Sequence, residues 1–83
     1  MDIKVLGTGC PKCKKLYEEV QKALASAGVP ATVEKVEDIG RIVEYDVMMT
    51  PALVINGEVK ASGRVPGVPE MVTWIMNAAA AEG

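Results

Sequence analysis

Residues 7–16 read GTGCPKCKKL, and they place both cysteines of the 83-residue chain, Cys10 and Cys13, with only Pro11 and Lys12 between them. Such a pair can be a redox couple, half of a metal site, or two small apolar residues. What surrounds it separates these readings. Upstream, Ile3-Lys4-Val5-Leu6 has the composition of a short strand that runs into the loop Gly7-Thr8-Gly9. Downstream, Cys13, Leu16, Tyr17, Val20, Ala23, Leu24 and Ala27 recur at helical spacing, with Lys12, Lys14, Lys15, Glu18, Glu19 and Lys22 between them. That pattern predicts an amphipathic helix of about four turns. Pro11 suits its first position and makes Cys10 the N-cap, while Gly28 and then Pro30 mark its end. Lys14–Glu18, Lys15–Glu19 and Glu18–Lys22 are candidate i,i+4 pairs along it.

The remaining chain continues the alternation. Residues 31–36 read as a second strand with Val33 and Thr32 on opposite faces. Asp38 is placed to cap a short helix over 39–45 that carries Ile42 and Val43. Residues 52–55 form a compact apolar strand, Asn56-Gly57 is a strong hairpin signal, and 58–62 return. After a loop over 63–67 with Pro66, the residues Val68, Met71, Val72, Ile75 and Ala79 mark a last helix with Trp74 on its flank. The order is β-α-β-α-β-β-α. A strand–helix–strand unit gives a parallel pair and the hairpin an antiparallel one, so the fold class is α/β, a four-stranded mixed sheet flanked by helices. One domain over residues 1–83 is expected.

Composition narrows the function. About half the residues are apolar and a quarter charged, as in a soluble globular protein. The net charge of −2 argues against nucleic acid as a partner. No stretch approaches the roughly 18 apolar residues of a membrane span. Met1-Asp2-Ile3-Lys4 leads straight into an apolar run with no signal peptide, and the expectation is a cytoplasmic protein, where Cys-x-x-Cys pairs are catalytic or metal-binding. Residues 1–28 carry five lysines against three acids, whereas the remainder carries four bases against eight acids. Lysine therefore concentrates around the cysteines.

That placement matters to sulfur. The reactive form of cysteine is the thiolate, favoured by unpaired N–H groups and the dipole at a helix N-terminus and by nearby cations. Cys10 is expected to have a lowered pKa and to be the nucleophile, with Pro11 and Lys12 shaping its turn. Cys13, three residues on and on the apolar face, has the geometry of the resolving thiol. A bridge between them closes a very short loop, so it is expected to be reactive rather than structural. As for metal, two cysteines in a chain without histidine supply only half of a closed zinc site. The alternative reading is a metal or iron–sulfur module shared across a dimer.

Taken together, Cys10-Pro11-Lys12-Cys13, Thr50-Pro51 and the run TPALVINGEV (50–59) resemble the thioredoxin-like superfamily, in a minimal, glutaredoxin-sized version. The resemblance implies a thiol–disulfide oxidoreductase that reduces protein disulfides through the dithiol, needs no cofactor or metal, and works as a monomer. It implies that Pro51 is a cis-proline shielding the disulfide and that the Thr50 backbone pairs with an extended substrate segment. Met49, with Met48, would offer a soft apolar surface to partners. After the hairpin, Ser62-Gly63-Arg64-Val65 lacks the acidic residue that meets the glutathione amine in glutaredoxins, which makes glutathione a doubtful partner. A reductase of the thioredoxin-reductase kind is the expected electron donor. Lys4 and Arg64 are read as solvated surface charges.

Overall fold

The computed structural model describes residues 1–82; Gly83, the last residue of the expected domain, lies outside the described residues. The order is β1 (Asp2–Leu6), α1 (Pro11–Ala27), β2 (Thr32–Val36), α2 (Ile39–Val43), β3 (Ala52–Ile55), β4 (Glu58–Ser62) and α3 (Val68–Glu82). The four strands form one mixed sheet in the order β2-β1-β3-β4. β1 and β2 run parallel, from Asp2↔Thr32 to Leu6↔Val36. β3 lies antiparallel to β1, pairing Ile3 with Ile55 and Leu6 with Ala52. Within the hairpin, Asn56 and Gly57 both have positive φ, the twist that a two-residue turn requires, and Ile55 pairs with Glu58.

Helices cover both faces. On one, Ile3, Val5, Leu53 and Ile55 meet Leu16, Val20, Ala23 and Leu24 of α1 and Met71 and Ile75 of α3. On the other, Leu6, Val36, Ala52 and Val54 meet Ile42 of α2. With both faces covered, all four residues of β3 are buried. Each large aliphatic side chain so enclosed contributes roughly 1.5–3 kcal/mol. The fold is the four-stranded mixed α/β arrangement that the residue pattern predicts, and it is consistent with the minimal thioredoxin-like fold that the resemblance implies.

Several local details differ from expectation. β1 begins one residue earlier, at Asp2. α2 stops at Val43, because the N–H groups of Glu44, Tyr45 and Asp46 reach back three residues instead of four and tighten the turn, after which Asp46 takes φ 58°. Asp38 occupies the N-cap of α2, but its side chain makes no capping bond. Of the three i,i+4 pairs proposed on α1, only Lys15–Glu19 forms, at 3.8 Å; Lys22 turns to Glu19 as well, at 3.1 Å, so Glu19 rather than Glu18 gathers the lysines.

The topology sends several connections to one end of the sheet. β1 and β2 are parallel and β3 antiparallel to them. The segments after β1, after β2 and before β3 therefore converge there, together with the N-terminus of α1. Both cysteines and Pro51 stand at that end.

Candidate active site

Cys10 is the N-cap of α1, with extended backbone (φ −68°, ψ 163°) and Pro11 at the first helical position. Its Sγ accepts a hydrogen bond from the Cys13 N–H at 3.2 Å, and its carbonyl accepts from the Lys14 N–H at 3.1 Å. The sulfur thus occupies the place where a capping oxygen would satisfy the open N–H groups of the first turn. Cys10 and Cys13 are joined in a disulfide, their Cα atoms 5.1 Å apart. Cys10 remains half-buried, whereas Cys13 is only 6% exposed. Of the two cysteines, Cys10 is the more open to solvent.

Two further elements close around the pair. Gly7, at the end of β1, donates its N–H to the Val36 carbonyl at 3.0 Å and is buried. A Cβ at Gly7 would run into Cys13 Sγ, with Cys13 Cβ at 3.1 Å and Pro51 Cα at 3.9 Å. The bare backbone of Gly7 therefore lets the Cys13 sulfur and Pro51 sit together over the end of the sheet. The Thr50–Pro51 peptide is cis, and Pro51 is fully buried.

The segment before Pro51 is held at both sides and open in the middle. The Met49 carbonyl accepts from Ser62 Oγ at 3.0 Å, and the Pro51 carbonyl accepts from the Gly63 N–H at 2.8 Å. Thr50, between them, is exposed, and its backbone takes no part in these bonds. Met48 is 97% and Met49 61% exposed, so both methionines lie on the surface rather than in the core. Gly63 (φ +77°) makes room for Met49: a Cβ there would stand 3.0–3.2 Å from the Met49 side chain.

Charge around the site comes mainly from lysine. Lys12, Lys14 and Lys15 are exposed, and the first turn of α1 contains no acid. Beneath the turn, a cavity of about 50 Å³ is lined by Val5, Gly7, Gly9, Cys13, Lys14, Lys35 and Glu37. Lys35 stacks its ammonium over the Tyr17 ring at 4.5 Å. Lys4 and Arg64, read from sequence as solvated charges, are instead engaged. Lys4 pairs with Asp2, whose hydrogen bond raises the Lys4 pKa, and lies 3.8 Å from Glu34. Arg64 donates two hydrogen bonds to Glu70, at 3.0 and 3.3 Å, which lower the Glu70 pKa, and lies 5.9 Å from the Trp74 ring. Among the described residues, no group of three or more His, Cys, Asp or Glu side chains could hold a metal ion. No described helix is long and apolar enough to cross a membrane.

A family model described as a thioredoxin domain (Thioredoxin_3) matches residues 1–76. The chain belongs to the thioredoxin family. It is 39% identical over 69 residues to a thioredoxin of Methanocaldococcus jannaschii, covering 83% of this chain and 79% of that protein. It is 34% identical over 71 residues to a thioredoxin of Methanothermobacter thermautotrophicus, covering 86% and 92%. Thioredoxins are thiol–disulfide oxidoreductases, and this thioredoxin-family chain is one too, with its cysteines bridged as a redox-active disulfide. The family acts on disulfide-containing proteins and is recharged by a reductase.

The cysteine turn and its helix are legible in the residues, and the Thr-Pro segment comes from the family resemblance; the structure brings them to one end of the sheet. Gly7 and Gly63 were missed. Their signal is a glycine next to an element boundary, which can mark a place where another group approaches the backbone closely.

Proposed function

We propose that this protein, as a single domain over residues 1–83 and as a monomer, reduces disulfides of cytoplasmic proteins through Cys10 and Cys13. The observation that carries this reading is the unequal exposure of two bridged sulfurs at a helix N-terminus. In the reduced protein the Cys10 thiolate attacks one sulfur of the substrate disulfide. A Cys10–substrate bond forms, the substrate S–S bond breaks, and the departing thiolate takes up a proton. Cys13 then loses its proton and attacks Cys10 Sγ, and the second substrate sulfur leaves as a thiolate. Two electrons have passed from the dithiol to the substrate, and the Cys10–Cys13 disulfide remains.

Pro11 fixes the turn, and Lys12 adds positive charge beside the Cys10 thiolate. The open Thr50 backbone beside Pro51 pairs with an extended substrate segment by strand addition, and Met49 supplies adaptable apolar contact. A dithiol-exchanging reductase of the thioredoxin-reductase kind returns the electrons. Glutathione is not proposed, because Arg64 is already bonded to Glu70 and the loop after β4 carries no acid for the glutathione amine.

Replacing the resolving thiol tests the assignment. Reduced Cys13→Ser, mixed with a disulfide-containing protein, is expected to stop at a stable mixed disulfide located on Cys10 by peptide mass spectrometry, and Cys10→Ser to form none. Equal trapping through either cysteine would remove the division of roles.

A further inference from the structure

The lysines beside the disulfide extend beyond Lys12, the one that the exchange chemistry uses. Lys12, Lys14 and Lys15 project from the first turn of α1, which contains no acid. Among the described residues, Lys12 and Lys14 form no salt bridge, and Lys15 reaches only Glu19, at 3.8 Å. Lys35 also lines the cavity below, with its ammonium over the Tyr17 ring. This is a local reversal of sign in a chain of net charge −2.

The acids at this end stand elsewhere. Glu37 and Asp38 follow β2, and Glu44 and Asp46 precede β3. Glu37 Oε2 approaches Gly9, but it shares its cavity with Lys14 and Lys35, which outnumber it. Asp38 turns toward Gly40, in the first turn of α2. Arg64 is neutralised by Glu70. The rim of Cys10 is therefore cationic along α1 and apolar at Met48 and Met49, on the segment leading to Thr50.

Resting on the oxidoreductase reading above, we propose that this rim selects disulfide partners with acidic side chains beside the reacting cysteine, seated over the first turn of α1. Exposed charges of opposite sign steer encounter and fix orientation, and the effect weakens as salt shortens the screening length. The exchange is the one already balanced: reduced protein and RSSR give oxidised protein and two RSH.

Two synthetic peptide disulfides test this, each a homodimer of one peptide through its central cysteine, flanked by glutamates in one and by lysines in the other. The reduced protein is mixed with each in single turnover, acid-quenched, and its oxidation followed by mass spectrometry at several salt concentrations. Both peptides meet the same Cys10, so the ratio of their rates reports docking and cancels any change in nucleophilicity. About a tenfold preference for the acidic peptide is expected at low salt, shrinking toward unity near 1 M salt. In Lys14→Glu/Lys15→Glu the preference is expected to vanish or invert. Equal rates at low salt, or a preference in the double variant as large as in the wild type, overturn the proposal. A neutral probe, 2,2′-dipyridyl disulfide, separates the two levels of the argument. If it oxidises the protein while the peptides are not distinguished, only the acidic preference fails. If it does not, the oxidoreductase assignment fails and the preference with it.

Discussion

Gly7 lies so close to Cys13 that no side chain fits between the backbone of one and the sulfur of the other. Gly7 directly follows β1 and Cys13 lies in the first turn of α1, and Pro51 comes up on the same glycine from just before β3. The Cys13 sulfur is thus packed against the sheet and away from solvent, while Cys10 is only half-buried.

Gly7→Ala isolates that packing. Gly7 does not have a left-handed backbone, so alanine is conformationally acceptable and its methyl acts only by overlap with Cys13. Overpacking of this kind costs about 1–3 kcal/mol, read as a lower urea midpoint. Displacement of Cys13 is also expected to slow the second exchange, so that a mixed disulfide on Cys10 persists in quenched reactions. An unchanged midpoint together with normal turnover would mean that α1 can shift freely away from β1.

The parts of the fold that could be read from the chain are those that carry their signal locally. Pro11, Gly28 and Asn56-Gly57 each specify a helix start, a helix end or a turn from one or two residues. In the structure Gly28 takes φ 68° and donates its N–H to Leu24, as a helix end requires. Gly7 and Gly63 answer instead to residues distant in sequence, Cys13 with Pro51 and Met49 respectively, so their role exists only once the sheet has formed. Lys4 is similar. Its acidic neighbour Glu34 is set by the parallel register of β1 and β2, which neither segment encodes alone. The weak alternation of β2 has a related cause: as an edge strand it is only partly covered, and Val33 is left half-buried.

Gly63→Ala combines two penalties. Its φ of +77° is unfavourable for alanine by about 1–2 kcal/mol, and the new methyl would crowd Met49. Because the Gly63 N–H holds the Pro51 carbonyl, the loss of stability should come with weaker use of protein disulfides and little change toward a small neutral disulfide. Comparing turnover on the two substrates checks this, and a parallel fall in both would argue that Gly63 serves stability alone.

Lys12→Gln addresses the nucleophile. In the reduced protein, the open N–H groups of α1 and the Lys12 ammonium favour the Cys10 thiolate, so its pKa is expected below the ordinary value of about 8.5. Removing the Lys12 charge should move it up and lower the reduction potential, since the reduced form loses stabilisation. The pH profile of Cys10 alkylation, followed by peptide mass spectrometry, gives the first quantity, and equilibration in thiol–disulfide buffers gives the second. No movement in either would leave the helix terminus as the sole source of activation.

The remaining prediction concerns stability against pH. Arg41 donates hydrogen bonds to both Glu34 oxygens, at 2.9 and 3.5 Å, and holds the Glu34 carboxyl below its ordinary value of 4.5. A carboxyl lowered in the folded state contributes stability that is fully present above its unfolded pKa and is lost as pH falls through the folded one. Glu34→Gln should therefore lower the urea midpoint slightly at pH 7. The difference from wild type should close as the pH drops through and below 4.5, because the wild-type carboxyl is then protonated too. The pair is open to solvent on one side, so added salt should also shrink the effect at pH 7. A deficit that stayed constant from pH 7 down to pH 2 would assign it to lost packing rather than to the ion pair.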